Sequence, residues 1–411
     1  MSFIALMINK FNKIFFNLTG ITTRMKKLYF CGLFAVAMLQ ACGGGDSATL
    51  TAPATAYKTL SGAAPLVVGH RGSAGTLPEH TLEGYKSAIE QGADIVEPDL
   101  VLTKDGVMIA RHEPMLDSTT DVAIKFPAAR KTTKMVDGES VTAYFASDFT
   151  LAEIKTMRAV QARAGRSKAF DGLYSIPTLD EVITLVKAEA TKAGRTVGIY
   201  PEIKHSTFHA VTVNFGKNVF EDKLVATLHT AYGNTVTAPV FIQSFEVSNL
   251  QYLRTKTKIK LVQLIDADDV NDDGSLALVA PYKSPYDFVV NNDTRTFADL
   301  LKPAGLDFIK TYADVVAPWK PYLVKTVNDK VERTGDTTLT INDRRVDGST
   351  GLIELAHQKG LLVHTWTFRD DASGYGFKDP KAEIAYYLRL GIDGFFTDFP
   401  ATGVAALKSI Q

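Results

Sequence analysis

Three short strings in this 411-residue chain place ionisable side chains where an apolar run ends: Gly69-His70-Arg71-Gly72, Glu97-Pro98-Asp99 and Pro201-Glu202-Ile203-Lys204. Glu97 and Asp99 are two positions apart, so on a strand they point to one face, and the same holds for Glu202 and Lys204. Three inward carboxylates, Glu97, Asp99 and Glu202, cost desolvation free energy unless cations answer them. Arg71 and Lys204 leave negative charge over, and a divalent cation is the simplest remedy. An all-oxygen donor set suits Ca²⁺, Mg²⁺ or Mn²⁺ and argues against zinc, which prefers Cys and His. A plain salt-bridge network at strand ends would explain any one string. It explains poorly three strings that converge with two histidines. Those histidines are His70 and His112, whose imidazoles can divide general-acid and general-base work near neutral pH. No Cys–His, Ser–His–Asp or P-loop arrangement is evident, and Asp105-Gly106 and Asp393-Gly394 read as turns.

The elements that must position these groups follow a repeating rhythm. Short β-branched runs at 66–70, 94–102, 197–204, 240–245, 260–265, 313–317, 361–368 and 394–398 read as strands. Amphipathic stretches at 79–91, 178–193, 216–232, 246–256 and 380–390 lie between them. Eight strands with intervening helices is the count of an α/β (β/α)₈ (TIM) barrel, whose strands aim their C-terminal ends at one face. A doubly wound open sheet is the architectural runner-up. Thr103-Lys104-Asp105-Gly106 is a tight-turn signal, expected to fold 107–112 back antiparallel and bring His112 beside 97–99. Residues 115–173 show no strand–helix rhythm and read as a subdomain inserted over the barrel mouth, and 319–350 as a long loop.

The N-terminus carries a different message. Lys26 and Lys27 precede an apolar run, 28–39, of signal-peptide length, and Leu39-Gln40-Ala41-Cys42 resembles a bacterial lipoprotein cleavage site. On that reading 25–42 is the signal, Cys42 is lipidated, 43–63 is a flexible tether, and the barrel runs from 64 to 411. Residues 1–24 precede a plausible start at Met25 and stand outside the fold. The expected location is the periplasm or cell envelope, at a membrane. Cys31 and Cys42 are the only cysteines, so the barrel has neither disulfide nor free thiol. Forty-five basic and 45 acidic residues balance, which disfavours a nucleic-acid partner.

Together these strings resemble the glycerophosphodiester phosphodiesterase family. The likeness runs from GHRGSAGTLPEHTLEGYKSAIEQGADIVEPDLVLTKDGVMIARHEP at 69–114 through GIYPEIK at 198–204, IQSF at 242–245, VHTWTFRDD at 363–371 and GIDGFFTDFP at 391–400. The segment 117–155 is similar to the family's bacterial periplasmic branch. By this resemblance Glu97, Asp99 and Glu202 hold the metal, with Ca²⁺ foremost and Mg²⁺ or another divalent ion as alternatives. His70 and His112 are then catalytic, Arg71 and Lys204 hold the phosphate, and Gln243, Phe245 and Trp366 line the substrate pocket, with Glu79 supporting them. The implied reaction is hydrolysis of a small phosphodiester such as glycerophosphocholine to sn-glycerol 3-phosphate and an alcohol, through a cyclic phosphate. Two stretches depart from the family pattern, Ala317-Pro318-Trp319-Lys320 and His205-Ser206-Thr207, both expected at the mouth. Rival readings are a phospholipase C-like or D-like enzyme acting on intact lipids, and a non-catalytic lipoprotein that binds phosphorylated ligands.

Overall fold

Runs such as Leu66-Val67-Val68-Gly69 are short and apolar, and they pair as largely buried strands between a helical layer and a barrel interior. The structure is a computed structural model that describes residues 57–411. The signal, Cys42 and most of the tether therefore lie outside the described residues. Residues 57–63, expected as the end of the tether, instead lie against the barrel. The Leu60 N–H donates to Asp393 Oδ1 at 2.7 Å, and Lys58 sits over Gly391, where a side chain would collide.

The first strand, Leu66–Gly69, pairs in parallel with the second, which comes in two pieces, Ile95–Val96 and Asp99–Leu102. The third is also split, into Gly198–Ile199 and Glu202–Ile203, each paired with the matching piece of the second. Phe241–Ser244, Lys260–Ile265, Val315–Pro318, Leu362–Phe368 and Gly394–Thr397 follow in order, all parallel. The last pairs with the first, Leu66 opposite Gly394, so the sheet closes into the expected (β/α)₈ barrel and the open-sheet alternative falls. Pro98 and Pro201 interrupt the second and third strands because neither donates a ladder hydrogen bond.

The helices have readable ends. Thr178 and Glu181 form a capping box ahead of Leu179–Ala193, and Gly194, in the left-handed region at φ 62°, ends it. The shorter helices Pro303–Lys310, Leu352–Gln358 and Pro400–Lys408 complete the outer ring. Inside the barrel, Tyr200 stacks on Phe241 with centroids 5.0 Å apart and meets Phe396 edge-on. The Tyr200 hydroxyl lies 2.8 Å from His364 Nδ1, so His364 belongs to this packed floor. None of the helices among the described residues is long and apolar enough to cross a membrane.

Asp99–Leu102 folds back onto Met108–Ala110 with Leu100 opposite Ala110 and Leu102 opposite Met108, as the turn signal required. The expected inserted subdomain and the expected long loop both contain strands that the sequence pattern did not indicate. The insertion contains an antiparallel hairpin, Thr132–Val136 with Glu139–Ala143, turned at Asp137 (φ 47°) and Gly138 (φ 90°). Two consecutive left-handed residues make this a type I′ turn, and Asp-Gly is its strongest sequence signal. The hairpin's mostly exposed, polar faces hid the strand alternation. Likewise 319–350 contains the pair Val324–Val327 and Arg345–Ser349.

Candidate active site

Register brings the carboxylates together. Asp99 lies opposite Glu202 and Glu202 opposite Gln243, so the second, third and fourth strands present these side chains at one level. Glu97 precedes Asp99 by two and shares its face. One oxygen from each of Glu97, Asp99 and Glu202 falls within 4.8 Å of the others, and all three residues are buried. Asp99 Oδ2 accepts from His80 Nε2 at 2.9 Å, whereas Asp99 Oδ1 is buried without a partner. Burial, then Asp99 and Glu202, push Glu97 well above the usual carboxylate range. Burial likewise raises Glu202, to about 8. Burial also opposes ionisation of Asp99, but Lys204 and His80 outweigh it and hold Asp99 low. Three carboxylates this close ionise together only beside a cation, and the orphan Asp99 oxygen offers it a ligand. The residues fit a hard divalent ion.

His70 ends the first strand. Its Nδ1 lies 2.5 Å from Asp398 Oδ1 and its Nε2 3.8 Å from Glu97 Oε2. His112 follows the hairpin, where the Arg111 N–H donates to Asp99 O at 2.9 Å and fixes the strand end. His112 Nδ1 meets Glu113 Oε1 at 2.7 Å, and Lys204 Nζ donates to His112 Nε2 at 3.1 Å. Each imidazole thus turns Nδ1 to a carboxylate and Nε2 to the cavity. Burial depresses His70 to about 3 against the pull of Asp398. It depresses His112 to about 4, with help from Arg71 and Lys204. Both rings are neutral at pH 7.

Arg71 adopts a left-handed backbone at φ 55°, which aims its N–H at Glu97 Oε2, 2.9 Å away. Its guanidinium meets Glu79 at 2.9 Å and Asp99 at 3.6 Å. Gly72 must stay glycine, because a Cβ would lie 2.7 Å from the backbone of Gly84. His80, which holds Asp99, and His205, which holds Glu113, are also left-handed, at φ 56° and 49°, so three strained non-glycine residues support the site.

The other expected site residues fall as follows. Lys204 Nζ lies 2.9 Å from Glu202 Oε1. Gln243 faces the carboxylates more than the open pocket, donating to Glu97 Oε1 at 2.7 Å. Phe245 and Trp366 meet edge-on, centroids 5.7 Å apart, and border the cavity, with Trp366 Nε1 donating to Ala317 O. Glu79 reaches the site only through Arg71 and lies before the helix, which begins at Leu82. Of the two departures, Lys320 turns away from the mouth into a buried 2.6 Å pair with Glu383. His205 bridges Glu113 at 3.2 Å and Asp137 at 2.9 Å, tying the insertion to the His112 side of the site.

Sequence reasoning passed over Asp398, Glu113 and His80. Asp398 sits at the C-terminal end of the eighth strand, a position where barrel enzymes place functional groups, and Glu113 directly follows His112. His80 carries no local signal. Residues 70–402 match the model of the glycerophosphoryl diester phosphodiesterase family. The chain belongs to that family. A glycerophosphodiester phosphodiesterase of Arabidopsis thaliana is 38% identical over 83% of this chain and 86% of its own length. A Haemophilus influenzae glycerophosphodiester phosphodiesterase is 32% identical over 84% of this chain and 90% of its own. Among solved structures, an Oleispira antarctica phosphodiesterase in complex with the product sn-glycerol-3-phosphate shares the fold. It superposes at a TM-score of 0.50 with 16% identity, over 85% of this chain and 99% of that one. The family members similar to this chain thus include plant and bacterial proteins alike.

Proposed function

We propose that the chain hydrolyses small glycerophosphodiesters to sn-glycerol 3-phosphate and a free alcohol. The observation that carries this reading is the meeting of three carboxylates, two imidazoles and two cationic side chains on one rim of the barrel. Family membership and the product bound by the Oleispira relative support it. Glu97, Asp99 and Glu202 would hold the divalent ion, Ca²⁺ first and Mg²⁺ second. When bound, that ion supplies Lewis-acid polarisation of a phosphoryl oxygen. Arg71 and Lys204 stand where negative charge grows on the phosphoryl group in the transition state.

His70 and His112 move the protons. One Nε2 takes the proton of the glycerol hydroxyl beside the phosphate as its oxygen bonds to phosphorus. The other gives a proton to the departing alcohol as its P–O bond breaks. Water then opens the cyclic phosphate with the two roles exchanged, and glycerol 3-phosphate leaves. An approaching phosphodiester anion favours the imidazolium form that the acid role requires. Leu39-Gln40-Ala41-Cys42 supports export and lipid anchoring in the periplasm or cell envelope, within the periplasmic branch of the family.

The test is release of glycerol 3-phosphate from glycerophosphocholine with and without EDTA. Turnover is expected with Ca²⁺, lost on chelation and restored by the ion. Turnover that survives full chelation removes the metal, and no turnover on any glycerophosphodiester removes the function.

A further inference from the structure

The catalytic pocket opens outward into a larger cavity of about 280 Å³. Arg71, His112, Glu202, Lys204, Phe245 and Trp366 border both spaces, whereas His70 borders only the inner one. Outer walls come from Asp266 after the fifth strand, Glu246 after the fourth, Tyr282 in the following loop, Tyr286 at the start of the helix Tyr286–Val290, and Asp137 at the tip of the inserted hairpin.

The charges on these walls are unevenly answered. Glu113 and Asp137 share the His205 imidazole between them. Asp266 and Glu246 form no ion pair among the described residues. Asp266 accepts only from the Ala267 N–H at 2.8 Å, and Glu246 is buried against the Thr207 N–H and hydroxyl. Burial pushes Asp266 up to about 7 and Glu246 to about 8, as it does for carboxyls that lack a countercharge. Tyr282 lies in the field of Asp266, and Tyr286 in that of Asp137 and Glu246. Carboxyls raised in this way ionise when a cation comes beside them, and carboxylates next to aromatic faces are the chemistry that takes an organic ammonium. An inorganic cation would instead want convergent oxygens and no rings.

We propose that this outer cavity selects a leaving alcohol bearing an organic ammonium group, held by Asp266 and Glu246 against the rings of Tyr282 and Tyr286. The assignment rests on the phosphodiesterase reading above. The phosphoryl group then lies at the inner end by Arg71 and Lys204, glycerol fills the inner pocket, and the alcohol projects outward past His112.

Calorimetry on the Ca²⁺-loaded protein tests this with choline and its uncharged carbon isostere, 3,3-dimethyl-1-butanol. Choline should bind at least about tenfold more tightly than the isostere, and Asp266→Asn should shrink that ratio by about tenfold. Equal binding of the two by the wild type, or an unchanged ratio in Asp266→Asn, overturns the proposal. Should Asp266→Asn not fold, the wild-type ratio alone decides. Glycerophosphocholine should likewise be turned over with kcat/KM about tenfold above that for glycerophosphoglycerol. Equal turnover of both sinks the selectivity and spares the phosphodiesterase reading. Choline binding without hydrolysis of either ester keeps the ammonium site and sinks that reading instead.

Discussion

His70 and Asp398 stand 328 positions apart in the chain, yet their side chains meet at 2.5 Å. Asp398 is itself gripped by Arg166 at 2.6 Å and Arg369 at 2.9 Å. Burial opposes its charge, but His70 and the two arginines outweigh that and keep it ionised. A carboxylate so fixed sets the imidazole tautomer, leaving the Nε2 lone pair for proton transfer. Asp398→Asn should therefore lower kcat by about 10²–10⁴ and move KM little, which steady-state kinetics will show. His70→Ala and His112→Ala should each lose activity on a similar scale while the circular dichroism spectrum stays unchanged. Near-normal kcat in either variant removes that histidine from its role. The reacting groups themselves were legible, because His70 follows an apolar strand and Glu97, Asp99 and Glu202 flank the prolines that break two others. Their supports were not: Asp398 serves His70 only after the barrel has closed, and no local pattern announces that.

At the scale of elements, the tip of the inserted hairpin is held to the His112 side of the site by an imidazole, beside the apolar packing of Val136 and Ala143 on Phe208. His205 sits between Asp137 at the hairpin tip and Glu113 beside His112. Burial lowers its pKa, but the hydrogen bonds to Asp137 and Glu113 outweigh this and raise it from 6.5 to about 10. A raised folded-state pKa means the folded chain keeps a proton that the unfolded chain sheds. The stabilisation is then full below pH 6.5 and drains away as pH rises to about 10. Melting temperatures of the wild type and His205→Gln should thus differ most at pH 6 and converge by about pH 10. A gap that stays constant over this range would show that the imidazolium is not what fastens the hairpin. The strands and the 103–106 turn were readable because burial imposes a pattern on the sequence. The hairpin was not, since its faces are mostly solvent-exposed and its Asp137-Gly138 turn was the only signal left.

For the whole molecule, closure of the ring decides whether the site exists. Glu97, Asp99 and Glu202 come from the second and third strands, and Arg71 and His70 from the first, whose other neighbour is the eighth. A cation held by these carboxylates would join the second and third strands and let all three groups ionise together. Binding only to the folded chain, it should raise stability by about 2.7 kcal/mol at a hundredfold excess over Kd. Differential scanning calorimetry should show the melting temperature rising with Ca²⁺ and falling back with EDTA. Glu97→Gln separates charge from shape. It removes the carboxylate that burial, then Asp99 and Glu202, already push toward the neutral form, so the metal-free barrel should melt no lower than the wild type. The same variant lacks one of the three anionic ligands, and its Ca²⁺-induced shift should shrink. A wild-type-sized shift in Glu97→Gln would mean the ion binds elsewhere. A large loss of metal-free stability would mean that Glu97 serves the fold through its contacts with Arg71 and Gln243, and not as a ligand held against its own repulsion.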